Sequence, residues 1–425
     1  MTEDTTEGID QHITPDLLRG LTSPRISRRR ALQIGGLSAL GMTLAACGIP
    51  GAQGSKLGLS AARAEIAKFW ATHQKTGNLN FGNWPLYIDV GANKSDHPSL
   101  DLFTKETGIK VNYLEDIQAN DTFFAKIQPQ LAAQQSTGYD IIVITNGTYL
   151  DKLIELDYLT PLDQDRMSNF YQYSSTLVRD PSYDRGNVYT MAWQSGMTGI
   201  GYDPKRVGHK ITSWNDLMDP ALKGKIGMFA DNEDLPTSAL FAIGVNPETS
   251  TLPDWKKAAD WLHKQQPLVR KYYDQTYIDA LSKGDIWASM AYSGDIFQAN
   301  LSGATLEFVI PKEGAGIWTD NMCIPQHASH PVDAMTYMDF VYQPKVAAIL
   351  AEGINYITPV TDAQQYIQAD AKAATGKDKQ TLEYLATSPL IFPSAAEFSK
   401  LHRYRVLTKV EQIVWNNLFE PVYQS

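Results

Sequence analysis

The chain has 425 residues and a formal net charge of −10, with 43% hydrophobic and 10% aromatic residues. That length and apolar content suffice for two packed domains. The acidic balance, with no basic block, argues against a nucleic-acid partner and is compatible with a cationic ligand.

Residues 1–46 read as a leader and an export signal. A polar stretch (1–26) precedes Ser27-Arg28-Arg29-Arg30, an apolar run rich in Gly and Ala, and Leu44-Ala45-Ala46-Cys47. Arginines, a short apolar segment and a small-residue cleavage site describe a secretory signal, whereas a membrane-spanning helix needs roughly 20 apolar residues. The arginines after a serine resemble a twin-arginine signal, which exports folded proteins, and Leu-Ala-Ala-Cys resembles a bacterial lipobox, in which the cysteine is lipidated. Cys47 is therefore expected to hold the protein by lipid at the outer face of the cell membrane; the alternative is a soluble signal with a chance cysteine. Residues 47–77 open with Gly, Pro and Ser and read as a tether, with an amphipathic helix over 61–73. The other cysteine, Cys323, lies in a short apolar run and is expected to be a buried, inert thiol. His327 and His330 stand beside Pro331 in a polar loop, and no metal site and no cofactor are expected.

From residue 78 strand-like and helix-like patterns alternate. A short strand at 79–81 is followed by a helix over 100–107 that Gly108 stops, a strand over 109–113, a helix over 122–134 and a continuously apolar strand over 140–144. After residue 195 the pattern resumes, with strands near 199–202, 225–229, 286–291 and 306–310. Helices near 213–218, 237–243 and 253–264 lie between them. Apolar strands separated by helices argue for α/β units with sheets covered on both faces.

Several segments, in order, resemble the solute-binding proteins of bacterial polyamine importers, the spermidine/putrescine-binding family. They are Phe81-Gly82-Asn83-Trp84-Pro85-Leu86-Tyr87, Phe103-Thr104-Lys105-Glu106-Thr107-Gly108-Ile109-Lys110-Val111, Tyr277-Ile278-Asp279-Ala280-Leu281 with Gly294-Asp295, Pro311-Lys312-Glu313-Gly314 with Trp318-Thr319-Asp320, and Asn355-Tyr356-Ile357-Thr358-Pro359. The resemblance implies a two-lobed, type II periplasmic-binding-protein clamshell with discontinuous lobes joined by hinge strands. Lobe one is expected at 78–192 plus 320–355, and lobe two at 196–316 plus 356–425. It also implies a polyamine as ligand, with an ABC permease and its cytoplasmic ATPase as partners, and a monomer that is not an enzyme.

A polyamine-selecting site needs carboxylates for the ammonium groups and aromatic faces along the methylenes. The carboxylates accept charge-assisted hydrogen bonds, a cation over an aromatic face gains roughly 0.5–2 kcal/mol, and each buried methylene adds about 0.8 kcal/mol. That equipment stands at what read as loop positions, most of them beyond strand ends. By resemblance Asp320 and Asp295 hold ammonium groups, and Trp84, Trp318 and Tyr292 stack on the alkyl chain. Tyr87 and Tyr356 supply hydroxyls or apolar edges, Thr145 meets a terminal amine, and Asp231 and Asp234 form an acidic pair at one ligand end. Glu233 could replace either acid, and Gln194 and Ser195 at the hinge are further candidates. Tyr292 stands where the family commonly has tryptophan, and Leu235-Pro236 follows the acidic cluster where relatives carry a further carboxylate, which leaves the choice between diamine and triamine open. The rival classes are a receptor of the same fold for a sugar, an amino acid or a metal, and an exported carbohydrate-active enzyme with paired carboxylates.

Overall fold

The computed structural model describes residues 59–91 and 96–424. The segment expected to be an export signal, Cys47 and the opening of the expected tether lie outside the described residues. Among the described residues, no helix is long and apolar enough to cross a membrane. The amphipathic segment of the tether forms the helix Leu59–Thr72, and Trp70 at its end is buried, its indole N–H donating to the Pro161 carbonyl at 3.0 Å.

Among the described residues ten strands form one sheet: β1 (Asn78–Gly82), β2 (Lys110–Leu114), β3 (Ile141–Thr145), β4 (Met191–Tyr202), β5 (Ile226–Phe229), β6 (Val269–Tyr273), β7 (Ala288–Tyr292), β8 (Glu307–Val309), β9 (Ala315–Cys323) and β10 (Leu401–His402). Their order is β2-β1-β3-β9-β4-β7-β5-β6, with β8 on β4 and β10 on β9. The β1–β2 and β1–β3 pairs are parallel, as are β5–β6 and β5–β7. Between these two parallel sets run β4 and β9, antiparallel to each other, with β9 antiparallel to β3 and β4 antiparallel to β7. The long central pair belongs to both halves and joins them as hinge strands, which makes the fold a two-lobed type II clamshell.

Local chemistry explains the outer elements. Helix Pro98–Thr107 starts with proline in its first turn and ends at Gly108, whose φ of 73° lets its N–H reach the Thr104 carbonyl. Helix Leu252–Gln265 opens on a Thr251/Asp254 capping box and buries Trp255, Ala258, Ala259 and Leu262 along one face. β3 is an unbroken apolar run because helices cover both of its faces.

The central strands are buried along their whole length although they carry Gln194, Ser195, Thr198, Thr319, Asp320 and Asn321. Burial of such groups is tolerable only when they are hydrogen-bonded, and Ser195 and Thr319 share a hydroxyl–hydroxyl bond of 2.9 Å across the pair. This corrects the reading of Trp318 and Asp320 as loop residues: both lie inside β9. Polarity here marks the floor of a cleft, not a surface turn.

The C-terminal region also differs from its expected place in the second lobe. Val360, Ala363, Ile367, Leu385, Ala386 and Ile391 pack into the core beneath β1 and β3, whereas Trp415, Phe419 and Val422 of helix Lys409–Tyr423 join the core around Trp255. Helix Ala363–Ala373 packs between the neighbouring helices Pro344–Ile354 and Gly376–Thr387, so 360–391 adds to the core of the first lobe before the chain returns along β10 to the second.

Candidate functional site

The β9 register builds the site. Asp320 lies opposite Thr145 of β3 on one side and Gln194 of β4 on the other. Its Oδ1 accepts from the Thr145 hydroxyl at 2.6 Å and its Oδ2 from the Tyr87 hydroxyl at 2.8 Å. Burial pushes the Asp320 carboxyl up to about 6, and these two hydroxyls favour its ionised form. The Gln194 Oε1 beside it is buried without a donor.

Two residues back along β9, Trp318 faces the same side. Its ring meets Tyr292 edge-on at 5.7 Å and Tyr356 at 5.3 Å, and Tyr356 meets Tyr87 edge-on at 5.9 Å. This close floor requires Gly196 opposite: a Cβ there would stand 2.2 Å from the Trp318 ring. Gly196→Ala is expected to force the indole out, lowering the melting temperature by the equivalent of about 1–3 kcal/mol and weakening ligand binding together. A melt and a titration of one sample check it.

Asp295 occupies the first turn of helix Ser293–Leu301. It accepts from the Tyr356 hydroxyl at 2.8 Å and the Tyr277 hydroxyl at 2.7 Å, so it faces the cleft and does not merely cap its helix. Burial raises its pKa against the pull of both hydroxyls.

At the other end stand Asp234 and Asp231. Asp234 accepts from Tyr292 at 3.0 Å and Tyr404 at 2.8 Å. Asp231 turns Oδ1 onto the backbone N–H groups of Glu233 and Asp234, at 2.8 and 2.6 Å, and leaves Oδ2 buried with no donor. Both carboxyls are raised by burial, and Asp231 further by the charge of Asp234. The tyrosines around these acids are pushed far up by burial and stay protonated donors.

Nine of the ten candidates thus fall into one connected set of hydrogen bonds and ring contacts. Trp84 lies outside its hydrogen bonds: its indole N–H donates to the Val143 carbonyl at 3.0 Å and its ring packs against both cores of the first lobe. Tyr404 and Tyr277 join this set through their hydrogen bonds to Asp234 and Asp295, and the sequence reading did not single them out as site candidates. Nothing near Tyr404 in sequence marks it; only the return of the chain past β10 brings it to Asp234.

The two lobes meet at the cleft mouth. Glu233 accepts from the backbone N–H of Thr148 at 3.1 Å, at the start of helix Thr148–Glu155, and the Thr148 hydroxyl bonds Gln412 Oε1 at 3.1 Å. Gly147, with φ of 136°, makes room: a Cβ there would stand 2.6 Å from the Glu233 carboxylate. Gly147→Ala combines a backbone strain of about 1–3 kcal/mol with a clash across this contact. The expected result is a smaller ligand-induced contraction in small-angle scattering than the unsubstituted protein gives.

Residues 99–378 match the model of the bacterial extracellular solute-binding protein family, and the chain belongs to that family. The spermidine/putrescine-binding periplasmic protein of Salmonella typhimurium is 30% identical over 315 residues, covering 74% of this chain and 84% of its own. The putrescine-binding periplasmic protein SpuD of Pseudomonas aeruginosa is 30% identical over 345 residues, covering 77% and 86%. Among solved structures, the spermidine/putrescine ABC transporter substrate-binding protein PotD of Streptococcus pneumoniae superposes with a TM-score of 0.68 at 22% identity, covering 82% of this chain and 99% of its own, a likeness of fold.

Proposed function

We propose that the protein is an extracytoplasmic receptor that captures a polyamine and delivers it to an ABC import permease driven by a cytoplasmic ATPase. One observation carries the reading most: Asp234 and Asp320 are buried and Asp231 and Asp295 half-buried in one connected set, and among the described residues their hydrogen-bond donors are hydroxyls and backbone amides. Buried carboxylates without cationic partners are costly, and a ligand carrying several ammonium groups removes that cost on entering. The rings of Trp318, Tyr292, Tyr356 and Tyr87 then cover its methylenes. The relatives' names point the same way.

In this reading the receptor is a monomer with no catalytic role, and lipid on Cys47 keeps the receptor beside its permease while the tether supplies reach. Ligand contacts to both lobes favour the closed form by their differential affinity. A sugar would need donors as well as acceptors, and an amino acid a cation for its carboxylate. The test is calorimetric titration with putrescine, spermidine, maltose and glycine. Submicromolar binding, worth more than about 8 kcal/mol, is expected for an amine alone. Binding confined to the sugar or the amino acid contradicts the proposal.

A further inference from the structure

Consecutive residues of the segment after β5 serve different surfaces. Asp231 accepts from the backbone N–H groups of Glu233 and Asp234 and so fixes the path of the segment. Asn232 is held by the C-terminal helix Lys409–Tyr423: its side-chain amide donates to Asn416 Oδ1 at 2.7 Å, and its carbonyl accepts from the Trp415 indole at 2.8 Å. Glu233 reaches across to the first lobe. Its carboxylate oxygens stand 2.6 and 3.4 Å from where a Cβ on Gly147 would be, and Oε1 accepts from the Thr148 N–H. That N–H opens helix Thr148–Glu155 and has no acceptor within the helix, so Glu233 supplies one and places an acidic group at the positive end of the helix dipole. The C-terminal helix braces the same contact, because Gln412 accepts from the Thr148 hydroxyl and donates to the Asn416 oxygen at 2.6 Å. The Lys409–Glu155 pair also crosses between the lobes, at 4.0 Å, but is exposed on both sides and adds little.

We propose that Glu233 is a positioning residue: it latches the two lobes together without touching the ligand, and Asp231 in the same segment ties that latch to ligand occupancy. The inference rests on the receptor reading above. A contact made only between closed lobes lowers the open fraction by its own free energy and no more. Ligand leaves through the open form, so the latch acts on release more than on capture. Burial pushes the Glu233 carboxyl up to about 7, and a protonated carboxyl offers the carbonyl acceptor that a glutamine also has.

Stopped-flow kinetics with spermidine and putrescine, together with hydrogen exchange of the Thr148 N–H followed by NMR, test the proposal. Glu233→Ala is expected to release amine about tenfold faster, the size of one charge-assisted hydrogen bond, with association changed less than about threefold. Glu233→Gln keeps the acceptor and should release within about threefold of the unsubstituted protein. The Thr148 N–H should exchange faster in Glu233→Ala, and saturating amine should slow it in the unsubstituted protein. Gln412→Ala, which leaves the Glu233 bond in place, should release at an intermediate rate and keeps the test open should Glu233→Ala not fold. Glutamine proving as damaging as alanine overturns the proposal, since that is the mark of an ammonium ligand. So does a Thr148 N–H that exchanges at the same rate in every form. If neither amine binds, the receptor reading falls and the coupling to ligand with it, whereas faster Thr148 exchange in Glu233→Ala still upholds the contact between lobes.

Discussion

Asp320→Asn is expected to weaken polyamine binding by about 30-fold or more while leaving the fold intact. Truncating one partner of a buried, hydrogen-bonded charge pair costs about 2–5 kcal/mol, and Asp320 has no nearby carboxylate on its own strand to take over. The substitution keeps shape: of the Tyr87 and Thr145 hydroxyls, one donates to the amide oxygen and the other turns to accept from the amide N–H. In the free protein the change removes a buried charge whose carboxyl already sits at about 6. The variant should therefore melt no lower than the unsubstituted protein at neutral pH. Calorimetry and a thermal melt check both halves; near-normal affinity contradicts the assignment of Asp320 as an ammonium ligand.

Ligand affinity should rise as pH rises from about 5 to 7, by up to about tenfold per pH unit for each proton displaced. Without ligand, burial holds the carboxyls of Asp320, Asp295, Asp234 and Asp231 above their ordinary range, Asp320 at about 6. An ammonium binds the ionised form, so entry releases protons wherever these groups are still protonated. The sign for stability is opposite. A carboxyl raised in the folded state binds protons more tightly than the unfolded chain, whose value is about 3.9. Its stabilisation is present at low pH and lost as pH climbs through the folded value near 6. The free protein should thus melt at a lower temperature at pH 7.5 than at pH 5.5, and saturating polyamine should narrow the gap. Titrations in two buffers of different ionisation enthalpy count the protons; a pH-independent affinity contradicts the account.

Much of the fold was legible because local chemistry carries it. The apolar run of β3, the Gly108 stop and the periodic faces of helices such as Leu252–Gln265 report burial directly. Less legible was whatever depends on distant partners. β9 reads as a loop because Thr319, Asp320 and Asn321 interrupt its apolar pattern, and only the register with β3 and β4 shows where their polar groups go. β6, which lies at the sheet edge with Arg270 and Lys271 exposed in its Val-Arg-Lys-Tyr-Tyr segment, carries no continuous apolar signal and escaped notice. The acidic and aromatic residues of the site were visible as residue types in order along the chain. Their pairing with tyrosines was not: Tyr404 reaches Asp234 across 170 residues, and Tyr277 reaches Asp295 from an adjoining helix.

The most direct test of the central claim is a crystal structure of the protein with spermidine. The expected density lies across Trp318, with one terminal ammonium between Asp320 and Gln194 and the other against Asp234 and Asp231. A ligand seated away from these carboxylates, or ammonium groups left without them, contradicts the account.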